Sequence, residues 1–578
     1  MNFRILAAFL ALAGGLLSAC PAPAQTHALG DTLTVIQRPL LNIPSLVVPG
    51  GDLVIRCDAS PTATGWTASL ERGGLDIPLT LDEAAYDPDT LWWTLLAVVP
   101  EVPVFDLYDL RVTADGGVDD VTRQAVSVMA QIPAEYYFVH LTDTHLPTYL
   151  YYYQSGADTD STNTVGLRHI IGDVNVINPA FVVITGDLIH EGELEDFLEK
   201  RYYSRAQRQL TEFEVPVFLT AGNHDIGGWN DTPPSDGTAR RDWWRFFGWK
   251  RLDNPPPGAP WRTQDFSFDL DAVHFVCLEA YDNYDSWRWP IYGYESFIGS
   301  QLQWLAADLA AAPAGSARVL FYHYDFQNQI DLSALGVDLA LWGHIHSDSG
   351  SLTGSPLDVS TDNAGGQNHP FRLVRVSDGR VVPLPTLSAG TVGQTLTVSY
   401  SPANDGAHDR ITATVVNGHA ERFEHGLLRI HMPPAAGYLV TGGTLIQRDD
   451  SGPDVVCYVR ADVPASGSLA VTVEADHFTG LPGGVPAAAR LAAIHPNPCN
   501  PRAEIAFELG ETGPCRLTVF DVQGRAVTVI EDRVLEAGAH RAVWDGRDAA
   551  GRDQPSGVYL VSLRAGAFSE NRKLTLVR

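Results

Sequence analysis

Eight side chains in the middle of this chain could do chemistry together. They are Asp143 and His145 in "DTH", Asp187 in "GD", Asn223 and His224 in "GNHD", the single His323, and His344 and His346 in "GHIH". Carboxylate, amide and imidazole make a hard-to-borderline set of oxygen and nitrogen donors, suited to Mn, Fe, Zn or similar ions. Two such ions about 3.5–4 Å apart clamp a phosphoryl group and lower the pKa of a bridging water, which gives a hydroxide nucleophile near neutral pH. A bridging carboxylate holds the pair at that spacing. One histidine at the end of a strand is more often a hydrogen-bonded structural residue than a ligand. Five donor-bearing clusters, each after an apolar run, point instead to one shared site.

The elements that must bring these clusters together are legible around them. The run Val215-Pro-Val-Phe-Leu reads as a buried strand leading into Gly222–Asp225. The same arrangement recurs at Tyr136–Leu141 before Asp143, Phe181–Ile184 before Asp187, Val319–Tyr322 before His323 and Leu339–Trp342 before Gly343. Val273–Leu278 is a further strand. Leu167–Ile177 has apolar residues at helical spacing, and Gln301–Ala311, "QLQWLAADLAA", is an amphipathic helix. Apolar runs alternating with helices predict α/β layers, and open α/β sheets hold their ligands at the carboxyl ends of the strands.

In order and spacing the five motifs resemble the calcineurin-like metallophosphoesterases, over residues 134–383. The resemblance implies an α/β fold with a two-sheet β core flanked by helices. It implies two divalent or trivalent metal ions of the Mn, Fe or Zn class, with Asp143, His145 and His346 on the first, Asn223, His323 and His344 on the second, and Asp187 bridging both. His224 would stand off the metals, bind the phosphate and assist the leaving group by proton donation or charge stabilisation. The implied activity is hydrolysis of phosphate diesters or monoesters by a metal-bridging hydroxide. Purple acid phosphatases place a tyrosine ligand three residues after the bridging aspartate and usually read "GNHE". This chain has His190 at that place and "GNHD", so the tyrosinate-iron subtype is not expected. The pattern is closer to phosphodiesterase-like members. His140, His190 and His274 lie outside the motifs and read as structural residues.

The flanking segments change character. From Thr26 to Pro133 short alternating strands, among them "DLVIRCDAS" and "LWWTLLAVV", predict an Ig-like β-sandwich over 25–133. Trp92 and Trp93 read as core packing in preference to a carbohydrate surface. Alternating strands resume after Pro385 and predict a second β-sandwich over 384–477, followed by a Gly/Pro/Ala linker over 478–490. The remaining module, 491–578, contains "HPNPCNP", "CRLTVFDVQGRAV", "WDG" and "SGVYLVSLRAG". These resemble the C-terminal sorting domain of type-nine secretion substrates and the related Ig-like domain of flagellar hook-capping proteins. The resemblance implies a Gram-negative cell and the secretion machinery as a partner. A Cys499–Cys515 disulfide fits an exported protein. Asp545, Asp548 and Asp553 read as turn residues in preference to a calcium loop. Between Gly227 and Ser300 a dense set of aromatics, including Trp229, Trp243, Phe246, Phe247, Trp261 and Trp289, reads as the minicore of an insertion, with an apolar wall for a leaving group as the alternative. Tyr149–Tyr153 reads as cleft rim.

Composition and targeting narrow the setting. With 39 basic and 69 acidic residues the 578-residue chain carries −30, which repels nucleic acid and leaves polyanion recognition to a local positive site such as bound metal. No nucleic-acid partner is expected. Asn2-Phe3-Arg4, the apolar run Ile5–Leu17 and the small residues after it read as a signal peptide, 1–24. Cleavage after Ala22-Pro23-Ala24 and a lipobox ending at Cys20 both remain open, and both export the protein, secreted or to the cell surface. The six cysteines show no CxxC or Cys/His zinc spacing. Two functional classes follow: an exported binuclear-metal phosphoesterase acting on a small molecule, lipid or surface polymer, and a non-catalytic surface binding or adhesion protein that uses the fold as scaffold. The complete donor set favours the first.

Overall fold

The computed structural model describes residues 35–147, 162–190, 202–226, 243, 246–248, 264–280, 296–297, 299–390, 395–476, 489–566 and 568–578. The expected signal segment with Cys20, the Tyr149–Tyr153 rim, Asp158 and Asp160, most of the aromatic insertion and most of the linker lie outside these residues. The chain forms two compact units, the second made of Ala435–Gly437 and Asp476–Arg578.

Two sheets lie at the centre of the first unit. One runs Val217–Thr220, Val182–Thr185, Glu135–Leu141, Pro370–Ser377, Arg380–Pro383, with Leu387–Ser388 added to Pro370–Ser377. Its first three strands are parallel. The other runs Phe266–Leu270, Val273–Cys277, Ala317–Phe321, Leu339–Trp342, Leu357–Ser360, parallel after the first pair. Strands covered on both faces should be apolar throughout. Val182–Thr185 is buried at every position: Val182 and Ile184 face the helices Thr162–Ile177 and Tyr202–Leu210, while Val183 faces the second sheet. The helix Gly299–Ala311 covers the outer face of that second sheet through Leu305 and Leu309. The layers are therefore helix, sheet, sheet, helix.

Aromatic rings fill the space between the sheets. Phe138 stacks on Phe181 at 5.1 Å and Phe218 on Phe268 at 4.0 Å, with Phe275 edge-on to Phe181. Phe181 has no exposed surface, and truncating such a ring to Ala costs about 3–5 kcal/mol in transfer and cavity energy. This layer sets the separation of the two sheets, and so of the strand ends that carry the donor residues.

The segment before the central sheets forms two sheets of four and five strands around Leu53, Ile55, Leu70, Leu95, Tyr108 and Leu110. Trp92 and Trp93 are both buried, and Trp93 Nε1 donates to Ser60 O at 2.9 Å. After the central sheets come four- and three-stranded sheets between Leu396 and Asp476. Their core is continuous with the helix layer: Ile411, Val415, Phe423 and Ile430 pack in one cluster with Leu167, Ile171 and Val174. Arg72 ties the two flanking modules together, bonding Asp106, Asp449 and the hydroxyl of Tyr458.

In the second unit, sheets of three and four strands enclose Ile505, Phe507, Leu517, Trp544 and Leu563. Its first strand, Arg490–His495, begins at the last residue assigned to the linker. The disulfide that sequence left open is not formed: Cys499 and Cys515 are separate free thiols, each buried in this core. They serve there as small apolar side chains. Asp548 Oδ1 accepts the backbone N–H groups of Ala550 and Arg552, and Asp553 pairs with Arg547 and Arg578, so the acidic run makes turns and ion pairs.

Candidate metal centre

The donor residues converge where the carboxyl ends of the two sheets meet. Asp143 and His145 follow the strand Glu135–Leu141, Asp187 follows Val182–Thr185, and Asn223 and His224 open the short helix after Val217–Thr220. His323 follows Ala317–Phe321, and His344 and His346 follow Leu339–Trp342. Side-chain atoms of Asp143, His145, Asp187 and His346 come within 4.8 Å of one another, as do those of Asp187, His323 and His344. Asp187 belongs to both groups. Asn223 joins the second through its Oδ1, 2.9 Å from His323 Nε2. A third group, His145, His190 and His224, adjoins the first.

The oxygens divide their work. Asp143 Oδ2 accepts from Thr142 Oγ1 at 2.7 Å and from the His344 N–H at 2.8 Å. Asp143 Oδ1 is buried and makes no such bond, yet His346 Nε2 is 3.2 Å and His145 Nε2 3.8 Å away. Asp187 Oδ1 accepts the His224 N–H at 2.9 Å, while its Oδ2 lies 3.3 Å from His323 Nε2 and 3.9 Å from His145 Nε2. His145 Nε2 and His346 Nε2 are 3.1 Å apart. Lone pairs aimed at one another from carboxylates and imidazoles are unfavourable unless a cation or a proton stands between them. The donor set and the buried, unbonded Asp143 Oδ1 both fit metal ions. His323 Nδ1 donates to Thr185 O at 2.7 Å, which turns Nε2 toward the centre, the usual arrangement behind a metal-binding imidazole.

Charge in this buried cluster is uneven. Burial opposes charge on His323, but Asp187 outweighs it and raises the imidazole to about 9. Burial likewise opposes charge on His346, and Asp143 reverses that and raises it. Burial, then His323, holds His344 down at about 4. Burial, then His224, keeps His145 well below its ordinary value. Asp187 is held well below the usual carboxylate range, because His323 and His224 outweigh its burial.

Backbone geometry is as specialised as the side chains. Asp143, His145, Asp187, His344 and His346 all have positive φ, between 44° and 69°. Non-glycine residues rarely adopt this region, and a cluster of them marks strain held by surrounding structure. The motif glycines permit close approach. A Cβ on Gly343 would lie 1.8 Å from Thr142 Oγ1 and 2.5 Å from Asp143 Oδ2; one on Gly222 would lie 2.3 Å from Asp187 Oδ1. Asp225, the last residue of "GNHD", is buried and accepts N–H groups from Gly222, Leu188 and Ile189, locking the "GD" and "GNHD" loops to each other. Burial, then Asp187, raises its carboxyl to about 8.

Two residues outside the donor motifs belong to this site. His190 read as structural, but its ring lies 5.3 Å from that of His224 and 5.5 Å from that of His145, and its carbonyl accepts a hydrogen bond from His224 Nδ1. Burial, then His224, lowers its imidazole to about 3. The third-residue spacing from Asp187 was the available signal; what sequence could not show is that the Asp225 carboxylate folds the loop at Ile189 back toward His224. The second is Asn163, whose Nδ2 donates to the carbonyls of Thr144 and His145. Nothing in its sequence context marks it. His140 is a core residue bonded to Thr361 and Thr185, and His274 bonds Asp269 and Asp308, away from the centre.

Residues 136–348 match the family model of calcineurin-like phosphoesterases, and residues 503–567 match that of the FlgD Ig-like domain. The central module thus has the metallophosphoesterase fold. No curated protein matches the chain significantly. Among solved structures, a purple acid phosphatase from yellow lupin (Lupinus luteus) seeds is 10% identical, with TM-score 0.35 over 64% of this chain and 71% of that one. A dimetal phosphatase from Danio rerio is 16% identical, with TM-score 0.31 over 44% of this chain and 98% of that one.

Proposed function

We propose that the central module is a binuclear-metal phosphoric ester hydrolase acting on phosphate diesters or monoesters. The observation that carries this reading is the sharing of Asp187 by two donor groups, one with Asp143, His145 and His346 and the other with Asn223, His323 and His344. A structural ion needs one closed group; two groups joined through one carboxylate suit a pair of ions acting on one phosphoryl group. When bound, such ions would supply Lewis acidity toward the phosphoryl oxygens and activate water.

The chain's own residues supply the rest. His224 has its Nδ1 proton committed to the His190 carbonyl, so Nε2 is the nitrogen through which the ring would act on substrate. There it binds a phosphoryl oxygen or carries a proton to the leaving oxygen. His190, beside it, narrows the same side of the site with a neutral imidazole. Asn163, Thr142 and Asp225 hold the loops and so the donor positions.

We further propose that the protein works outside the cytoplasm. Support comes from the sequence: the apolar run Ile5–Leu17, its two candidate cleavage sites and the C-terminal module, for which we propose a role in sorting.

The test is hydrolysis of bis(p-nitrophenyl) phosphate and p-nitrophenyl phosphate by protein reloaded with Mn²⁺, with Asp187→Asn as control. Turnover lost in the control supports a metallohydrolase, and the diester-to-monoester ratio directs the substrate search. Absence of both turnover and metal would replace this reading with that of a binding protein on a phosphoesterase scaffold.

A further inference from the structure

The helix Thr162–Ile177 and the module that follows the central sheets do not close completely on each other. His169, Gly172, Asp173 and Val176 recur at helical spacing, and opposite them run the strands Leu396–Ser401 and Phe423–Met432. Between these three elements lies an open cavity of about 760 Å³, lined by none of the eight donor residues. Pockets for small molecules span roughly 300–1,000 Å³ and favour the boundaries between modules. A Cβ built on Gly172 meets nothing within 4 Å. Glycine inside a helix costs stability relative to alanine, and no close approach of a neighbour requires it here; its effect is to keep the cavity open. Across from it, Leu396, Val398 and Tyr400 alternate along their strand and share the face that packs on the core.

The charges around this cavity are already matched. Arg168 pairs with Glu212 at 2.9 Å, Arg429 with Glu214, and His431 with Asp454 at 2.5 Å, while Asp173 Oδ2 is 3.5 Å from His419 Nε2. The lining groups without a hydrogen-bond partner among the described residues include the hydroxyls of Thr395 and Tyr400 and the imidazole of His169. Hydroxyl and neutral imidazole each both donate and accept. We propose that this groove binds a neutral sugar chain. An ion would find no unmatched counter-charge here, and a purely apolar ligand would cover the hydroxyls and the imidazole without satisfying them. A sugar answers both conditions: its hydroxyls donate and accept, and its C–H face lies against Val398 and the ring of Tyr400. The proposal goes beyond the phosphoesterase reading and does not depend on it.

The test is calorimetric titration of the full-length, Mn²⁺-loaded protein with maltotriose, cellotriose and chitotriose. At least one should bind, with an affinity that excess inorganic phosphate leaves unchanged. Gly172→Leu puts a side chain into the cavity and should abolish that binding. It also removes a mid-helix glycine, so its melting temperature should stay at or above that of the wild type, with turnover of p-nitrophenyl phosphate unchanged. Tyr400→Phe and His169→Ala remove single unpartnered polar groups and should each weaken binding severalfold; if Gly172→Leu lowers the melting temperature, these two decide. Failure of all three sugars to bind overturns the proposal. Binding that survives the substitutions overturns it as well, and so does binding displaced by phosphate, which would put the sugar at the metal centre.

Discussion

The carbonyl oxygen of His190 accepts a 2.6 Å hydrogen bond from Nδ1 of His224. A carbonyl can only accept, so the backbone places a proton on Nδ1 of His224, and Nε2 is the nitrogen through which the ring would act on phosphate. His224→Ala should keep its metals and lose about 10²–10⁴-fold in turnover, the usual range for general acid–base catalysis. His190→Ala keeps the carbonyl, so its loss should be smaller, with metal content again unchanged. Turnover of both variants alongside elemental analysis checks this; equal losses would mean the His190 ring itself takes part in the chemistry.

Asp187→Asn replaces the oxygen that both donor groups share. Metal content should fall below one ion per chain and turnover should vanish, while the far-ultraviolet circular dichroism stays that of the wild type. Retention of two ions would show that Asp187 does not hold the pair.

Metal uptake should release protons. His323, raised to about 9, is protonated at pH 7 without metal, His346 is shifted in the same direction by Asp143, and imidazole binds metal only when neutral. Calorimetric titration with Zn²⁺ at pH 7, in two buffers of different ionisation heat, should therefore show about one proton or more leaving per chain. The release should fade as pH passes 9. The sign for stability follows: a raised pKa stabilises the metal-free fold below about pH 6.5, and that contribution is lost as pH climbs through 9.

His274 gives a pH effect remote from the metal. Both ring nitrogens face carboxylates, Asp269 at 2.8 Å and Asp308 at 2.9 Å, joining the edge hairpin to the helix Gly299–Ala311. The bond to Asp308 first, against burial and with help from Asp269, raises its pKa. The stabilisation is complete below about pH 6.5 and lost as pH rises through the folded value. In thermal melts, His274→Gln should lower the melting temperature at pH 6 and have little effect at pH 9. A gap that widens with pH would refute the pairing.

Gly343→Ala would drive a methyl group into Thr142 Oγ1 and the outer oxygen of Asp143. Overpacking of this kind costs about 1–3 kcal/mol, and here it also displaces a donor carboxylate. Melting temperature and metal content should both fall. Thr142→Ala in the same chain should recover part of the melting temperature, because it removes the nearest clash.

What sequence showed and what it hid have physical reasons. The runs ending at Leu141, Thr185 and Thr220 were readable because a strand buried on both faces must be apolar at every position, as in Val182–Thr185. Asp143, Asp187 and the histidines stood out because donors directly after such runs sit at the rim of a sheet. His190 was misjudged because its place depends on a long-range contact, Asp225 with the N–H of Ile189, which no local pattern encodes. Asn163 was invisible for the same reason. Sequence left the Cys499–Cys515 pairing open, because two cysteines in one module say nothing about whether their sulfurs meet; both lie in the core as apolar groups.

Five donor residues with left-handed backbones put a conformational cost at the heart of the centre. Each of Asp143, His145, Asp187, His344 and His346 holds a conformation that costs on the order of 1 kcal/mol or more for a side-chain-bearing residue. Glycine at any of them would relieve that cost, but it would also delete a donor and the contacts that the side chain makes. All five positions in this chain carry donor side chains, so backbone ease is given up at five places for side chains that meet at one point.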